Sequence, residues 1–147
     1  MSSLNAVTGL TVRWKRLHED AKPSLRVAAS VPVYDLFCYK YEEIVEGMLV
    51  YDGYYRYHTG IVFEVPDYWA GFLFPRSSIY TVGMDLANSV GIIRSDSRGE
   101  VVFNYRALSH RHYVAGHRIG QVVFMPLGDA ILEEVEELTQ YWKKLKG

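Results

Sequence analysis

Apolar segments in this chain are about one β-strand long, and each is stopped by a proline, a glycine or an aspartate. Ile61-Val-Phe-Glu-Val65 ends at Pro66-Asp67, Gly71-Phe-Leu-Phe74 ends at Pro75, and Met48–Tyr51 runs into Asp52-Gly53. Such interruptions favour many short strands joined by turns. Thr11–Leu17 alternates apolar and basic residues over one strand length. Tyr55–His58, Val101–Tyr105 and Ile119–Met125 add further strands, and another starts at Tyr34 in a segment broken by Pro32 and Asp35. The 12 Tyr, 6 Phe and many Val and Ile suit a pleated, half-buried surface. The pattern predicts a mainly β fold, an antiparallel barrel or sandwich. One helix is expected, over 129–146. Asp129 caps it, Ile131–Leu138 has helical apolar spacing, and Lys143, Lys144 and Lys146 lie toward its C-terminal end.

A chain of 147 residues, 49% apolar, has the material for one domain with a full core. We expect a single domain over 1–147, with 1–10 as an N-terminal segment. The formal net charge of −1 provides no basic field for long nucleic acids. The single cysteine, Cys38, excludes an intrachain disulfide and reads as a small buried hydrophobe. No apolar run approaches a membrane span, and the N-terminus lacks an uninterrupted apolar leader core. The expectation is a soluble cytoplasmic protein with no membrane partner.

Four segments carry chemistry. Asn88-Ser-Val-Gly-Ile-Ile-Arg-Ser-Asp-Ser-Arg-Gly-Glu100 sets two apolar pieces, Val90–Ile93 and Val101–Phe103, around a polar tip, and reads as a hairpin arm. The Asn88 amide both donates and accepts, so it suits a pyrimidine edge. In Phe74-Pro-Arg-Ser-Ser-Ile79 the proline ends a strand, Arg76 offers a planar fork for phosphate, and Ser77 and Ser78 add hydroxyl donors. Ala115-Gly-His-Arg-Ile-Gly-Gln121 is a glycine turn entering an apolar strand that carries one amide side chain. Tyr34-Asp35-Leu36 places one acid inside an apolar run.

In their order and spacing these segments resemble four motifs of the trimeric dUTPase family, over about Val12 to Leu138. Asn88–Glu100 is similar to the family's Asn-x-x-Gly-x-Ile-Asp-x-Asp-Tyr-x-Gly, and Ala115–Gln121 to its Gly-x-Arg-Ile-x-Gln. Tyr34-Asp35-Leu36 resembles Ala-Gly-x-Asp-Leu, with Pro32-Val33 in place of Ala-Gly. The resemblance implies a jelly-roll-like antiparallel β-barrel and a homotrimer whose sites are shared between chains. It also implies a deoxyuridine-type pyrimidine nucleotide as ligand, and Mg²⁺ as cofactor. Arg76, Ser77, Ser78 and Gln121 would then hold phosphates. Asn88 and the backbone to Ile93 would read the base, and Asp35 would lie near the metal and its waters while helping orient Arg76.

Three departures oppose full activity. Where the family carries its catalytic Asp, this chain has Arg94, and a guanidinium accepts no proton. Ser97 replaces the tyrosine that lies against the sugar. The stretch Glu137–Gly147 continues a helical pattern where the family has a Gly-rich arm. The leading expectation is therefore a nucleotide-binding member of the family, in which hydrolysis of dUTP to dUMP and pyrophosphate is weak or lost. One alternative is an active dUTP or modified-pyrimidine pyrophosphatase using Asp96 or another base. The other is a non-catalytic trimeric scaffold for a protein partner.

Overall fold

A computed structural model of the protein describes residues 9–44 and 53–139. The strands in chain order are β1 (Arg13–Arg16), β2 (Leu25–Ala28), β3 (Val31–Phe37), β4 (Lys40–Ile44), β5 (Tyr54–His58) and β6 (Ile61–Glu64). They continue with β7 (Trp69–Phe74), β8 (Met84–Leu86), β9 (Gly91–Ile93), β10 (Val102–Ala107) and β11 (Arg118–Pro126). A 3₁₀ turn, Ser77–Thr81, follows β7. No described helix is long and apolar enough to cross a membrane.

Every ladder is antiparallel. Five strands run in the order β2-β3-β11-β7-β9, four in the order β4-β5-β10-β8, and β1 pairs with β6. Alternation drives the layers together: β6 and β10 bury every second residue. Leu36, Leu73 and Val122 from the five-stranded sheet meet Tyr57, Phe103 and Tyr105 from the four-stranded one in a single core. Tyrosine hydroxyls cross between the layers. Tyr105 donates to the Ile119 carbonyl at 2.5 Å and Tyr57 to the Tyr113 carbonyl at 2.9 Å. Gly120 permits the closest approach, because a Cβ there would stand 2.3 Å from the Phe103 ring. The arrangement is jelly-roll-like, and no single sheet closes into a ring among the described residues.

Most expected strands form, with several differences. β3 begins at Val31, and its pairing with β2 shifts between Arg26 and Ala28. That irregularity absorbs Pro32, which has no amide to donate. The Met48–Tyr51 strand and Asp52 lie outside the described residues. The hairpin arm does not pair as expected: β9 joins β7 in one sheet, while β10 joins β5 and β8 in the other. Residues 94–101 are thus a crossover between layers, because each apolar piece found a better-matched partner strand elsewhere. The helix expected over 129–146 is absent from its described part, 129–139. Ile131 and Leu132 there are 97% and 94% exposed, so the apolar stripe has no surface to bury against. A short helix without tertiary packing is marginal in water.

The crossover is pinned where it enters β10. Glu100 accepts from the Gly60 amide at 2.8 Å, and Thr59 donates to the Val101 carbonyl at 2.6 Å. Gly60 takes φ +66°, and a Cβ there would lie 2.7 Å from that of Ala21. The His58 ring lies between Glu100, 2.9 Å from Nδ1, and Glu42, 2.5 Å from Nε2.

These contacts set an acid limit on stability. His58 holds the Glu42 carboxyl below its usual 4.5, mainly by hydrogen bonding, and Arg13 does the same for Glu64. A carboxyl depressed by folding stabilises above its unfolded value, and that stabilisation is lost as pH falls through the folded value. The melting temperature is expected to drop as pH goes below about 4.5, and Glu42→Gln to make the drop shallower. An acid limb as steep in Glu42→Gln as in the unmodified protein would refute this assignment; pH-dependent thermal melts measure it.

Candidate functional site

The site is built on one row across the five-stranded sheet. Asp35 on β3 faces Gln121 on β11, and Gln121 faces Phe74 on β7. Side chains in such a row share a face. Gln121 Nε2 donates to Asp35 Oδ1 at 3.0 Å, and Arg118 Nη1 donates to Asp35 Oδ2 at 3.0 Å. Arg118 is an odd number of residues from Gln121 and in a regular strand would point away. A bulge between Arg118 and Gly120 adds one residue, sets Arg118 opposite Phe37, and returns it to the Asp35 face. Asp35 itself is only 3% exposed, so its charge is held by these donors and not by bulk water.

Arg76 reaches the same carboxylate from the end of β7. Pro75 stops the strand, and Arg76 continues extended with φ −69° and ψ 153°. Its Nε lies 3.9 Å from Asp35 Oδ1, too far for a hydrogen bond, and its side chain is half-buried. The guanidinium is therefore oriented by charge and keeps its donors for an incoming anion. Ser77 is exposed and Ser78 half-buried at the start of the 3₁₀ turn, where amides have no acceptor within the turn. Of the residues that the family resemblance singled out, the structure brings Asp35, Arg76 and Gln121 together. The resemblance gave Arg118 no part in their cluster, and Gly120 beside the bulge was the one local signal.

The Asn88–Glu100 segment divides. Asn88 is exposed on a tight turn in which Ser89 takes φ 63° and Val90 donates to the Asn88 carbonyl at 2.7 Å. Ile93 is buried, so only its backbone faces outward from the sheet edge. Beyond β9 the chain turns, with Ser97 donating to the Arg94 carbonyl at 3.0 Å. Arg94 clasps Asp96 with both forks, Nε to Oδ1 at 3.0 Å and Nη2 to Oδ2 at 2.7 Å. Both side chains are exposed. Ser97 is half-buried and accepts from the Gly99 amide at 3.4 Å.

The β7–β9 register separates these groups. Gly91 faces Leu73 and Ile93 faces Gly71. The Asn88 turn therefore lies at the Pro75 end of β7, where a cleft of about 320 Å³ is lined by Pro75, Asp85, Leu86, Ala87, Ser89 and Arg106. Arg94, Asp96 and Ser97 lie at the opposite end, beside Ala70. The six residue steps from Ala70 to Arg76 span roughly 20 Å in extended chain. One chain does not bring Asp96 to Arg76.

A dUTPase family model matches residues 29–147. The chain belongs to the dUTPase family. A deoxyuridine 5'-triphosphate nucleotidohydrolase of Hydrogenobaculum is 31% identical over 130 residues, covering 85% of this chain and 86% of that protein. That of Tropheryma whipplei is 40% identical over 84 residues, 54% of this chain and 58% of the relative, so the match spans little over half of that protein. The fold is shared with solved phage enzymes. A dUTPase mutant of Staphylococcus phage 80alpha superposes with TM-score 0.73 at 19% identity, over 92% of this chain and 95% of its own. A phage phi11 dUTPase mutant, described for its structural Mg(II) ion, superposes with TM-score 0.70 at 19% identity, over 86% of this chain and 97% of its own.

This dUTPase-family chain offers a metal little by itself. Among its described residues no group of three or more His, Cys, Asp or Glu is placed to hold an ion. The Asp35 carboxylate already faces Arg118, Gln121 and Arg76. Those surroundings do not fit a resident magnesium held by protein ligands; they fit an anion.

Removing the central charge tests this cluster. Asp35→Asn keeps the shape but leaves two guanidinium groups facing an amide. We expect a loss of roughly 1–3 kcal/mol in stability, read by denaturant unfolding. An unchanged midpoint would show that the cluster contributes nothing to the fold.

Proposed function

We propose that this chain binds a deoxyuridine-type nucleotide at sites shared between copies of a homotrimer, and that Arg94 makes hydrolysis of dUTP slow. Arg76 and Gln121, with Ser77 and Ser78, take the phosphates, and Asp35 orients both. Asn88 and the β9 backbone as far as Ile93 read the pyrimidine edge. Ser97 stands on the sugar side. The roughly 20 Å between Arg76 and Asp96 along β7 supports a shared site, because a second copy supplies what one chain holds apart. Magnesium is proposed to enter with the triphosphate, which supplies most of its oxygen ligands and whose charge the ion offsets. Asp35 would touch it only through water.

The observation that carries the slow-hydrolysis reading is the bidentate Arg94–Asp96 pair. Where the family places its base, this chain has a group with no acceptor. The nearest carboxylate, Asp96, already gives both oxygens to that group. A positioned base typically contributes about 10²–10⁴-fold. A second reading follows from the same pair. Both side chains are more than half exposed, at 73% and 67%. A substrate phosphate that drew Arg94 away would free Asp96 to take the proton from water.

Pyrophosphate release from dUTP with Mg²⁺ separates these readings. We expect slow turnover in the unmodified protein and a rise of roughly 10²-fold or more in Arg94→Asp. Turnover at the rate of ordinary dUTPases would overturn the slow-hydrolysis reading. Asp96→Asn would then report whether Asp96 is the base. Calorimetry without any dUTP binding would favour a scaffold for a protein partner.

A further inference from the structure

Arg76, Ser77 and Ser78 stand at the start of a 3₁₀ turn, and no side chain caps that start. The hydrogen bonds of such a turn are poorly aligned and hold it weakly by themselves. Inside it the Ile79 amide donates to the Arg76 carbonyl at 3.0 Å, and the Thr81 hydroxyl donates to the Ser78 carbonyl at 2.7 Å.

A second segment grips the far end. The β8–β10 ladder stops with Ala107 opposite Met84, yet the chain beyond β10 goes on following the residues that precede β8. Three successive carbonyls each receive a donor from it. Gly83 accepts from the Leu108 amide at 2.8 Å, Val82 from the Ser109 hydroxyl at 3.4 Å, and Thr81 from Arg111 Nη1 at 3.0 Å. The Arg111 amide donates in turn to Ser109 Oγ at 3.2 Å. Gly83, at φ +70°, keeps room for this grip, because a Cβ there would stand 3.0 Å from Ser109 Oγ.

These bonds join into one chain that ends at Arg76. Arg111 holds the Thr81 carbonyl, and the Thr81 hydroxyl holds the Ser78 carbonyl. The Ser78 carbonyl and the Ile79 amide belong to the same planar peptide, so fixing one orients the other. That amide is the group that holds the Arg76 carbonyl. Thr81 and Arg111 are both exposed, so the chain of bonds serves the turn and not the core.

We propose that Thr81 and Arg111 are positioning residues for the phosphate-binding turn: through the Ser78–Ile79 peptide they fix the direction in which Arg76 and Ser78 meet a nucleotide phosphate. A guanidinium fork that contacts phosphate in two places needs such a fixed base. The inference rests on the nucleotide-binding reading above.

Calorimetry of dUTP with Mg²⁺, run where thermal melts show every variant folded, tests it. Thr81→Val keeps the shape and removes the hydroxyl, and Arg111→Met removes the donor to Thr81. Each is expected to weaken binding roughly five- to tenfold. Thr81→Ser, which keeps the hydroxyl, is expected to bind like the unmodified protein. Because both act along one chain of bonds, the double variant is expected to lose less than the product of the two separate factors. Unchanged affinity in Thr81→Val, beside clear binding by the unmodified protein, overturns the inference and leaves the nucleotide reading standing. Thr81→Ser as weak as Thr81→Val also overturns it, since the loss would then lie in packing. So does a double variant whose losses multiply, which would make Arg111 an independent contact. Absence of dUTP binding by the unmodified protein overturns the nucleotide reading and this inference together.

Discussion

A carboxylate buried in the middle of a β-sheet cannot be left alone, and Asp35 is such a group. At 3% exposure it depends on the donors around it. Gln121 meets it from the directly opposing position on β11, Arg118 from one step further along, and Arg76 from the end of β7. The requirement reaches well beyond the site. It ties β3 to β11 in one register, because a slip by one residue would turn Gln121 into the core and Val122 out of it. It accounts for the bulge before Gly120, without which Arg118 would face away. It also draws a flexible arginine to the place where a phosphate would be met. Register, bulge and anion site are three consequences of compensating one charge.

The same dependence explains what was legible in the sequence. Strands with alternating burial, such as β6 and β10, announced themselves, as did the stop at Pro75. Leu25–Ala28 and Lys40–Ile44 did not. Every residue of β2 is exposed, and the first four of β4, Lys-Tyr-Glu-Glu, are exposed too, so neither buries a regular face. β8 is only three residues long and is defined by its pairing with β10. Which strand β9 would join was a tertiary question, decided by the close fit of Gly91 against Leu73 and Gly71 against Ile93. In the site, Asp35, Arg76 and Gln121 stood out through the resemblance of their segments to the family motifs. Arg118 did not, because its facing depends on a bulge.

Position 94 shows how a fold separates binding from chemistry. The groups suited to phosphate lie on β7 and β11, and the Arg94–Ser97 turn lies at the far end of β7. A substitution in that turn therefore leaves the Asp35 cluster of the same chain untouched. A base acts in the transition state and adds little to ground-state binding, so its loss lowers kcat more than it raises KM. A guanidinium at that place goes further in the same direction. It accepts no proton, occupies the neighbouring carboxylate, and, on the proposed shared-site reading, adds a cation near the nucleotide phosphates. On the proposed reading, nucleotide affinity and turnover are free to move in opposite senses on this scaffold.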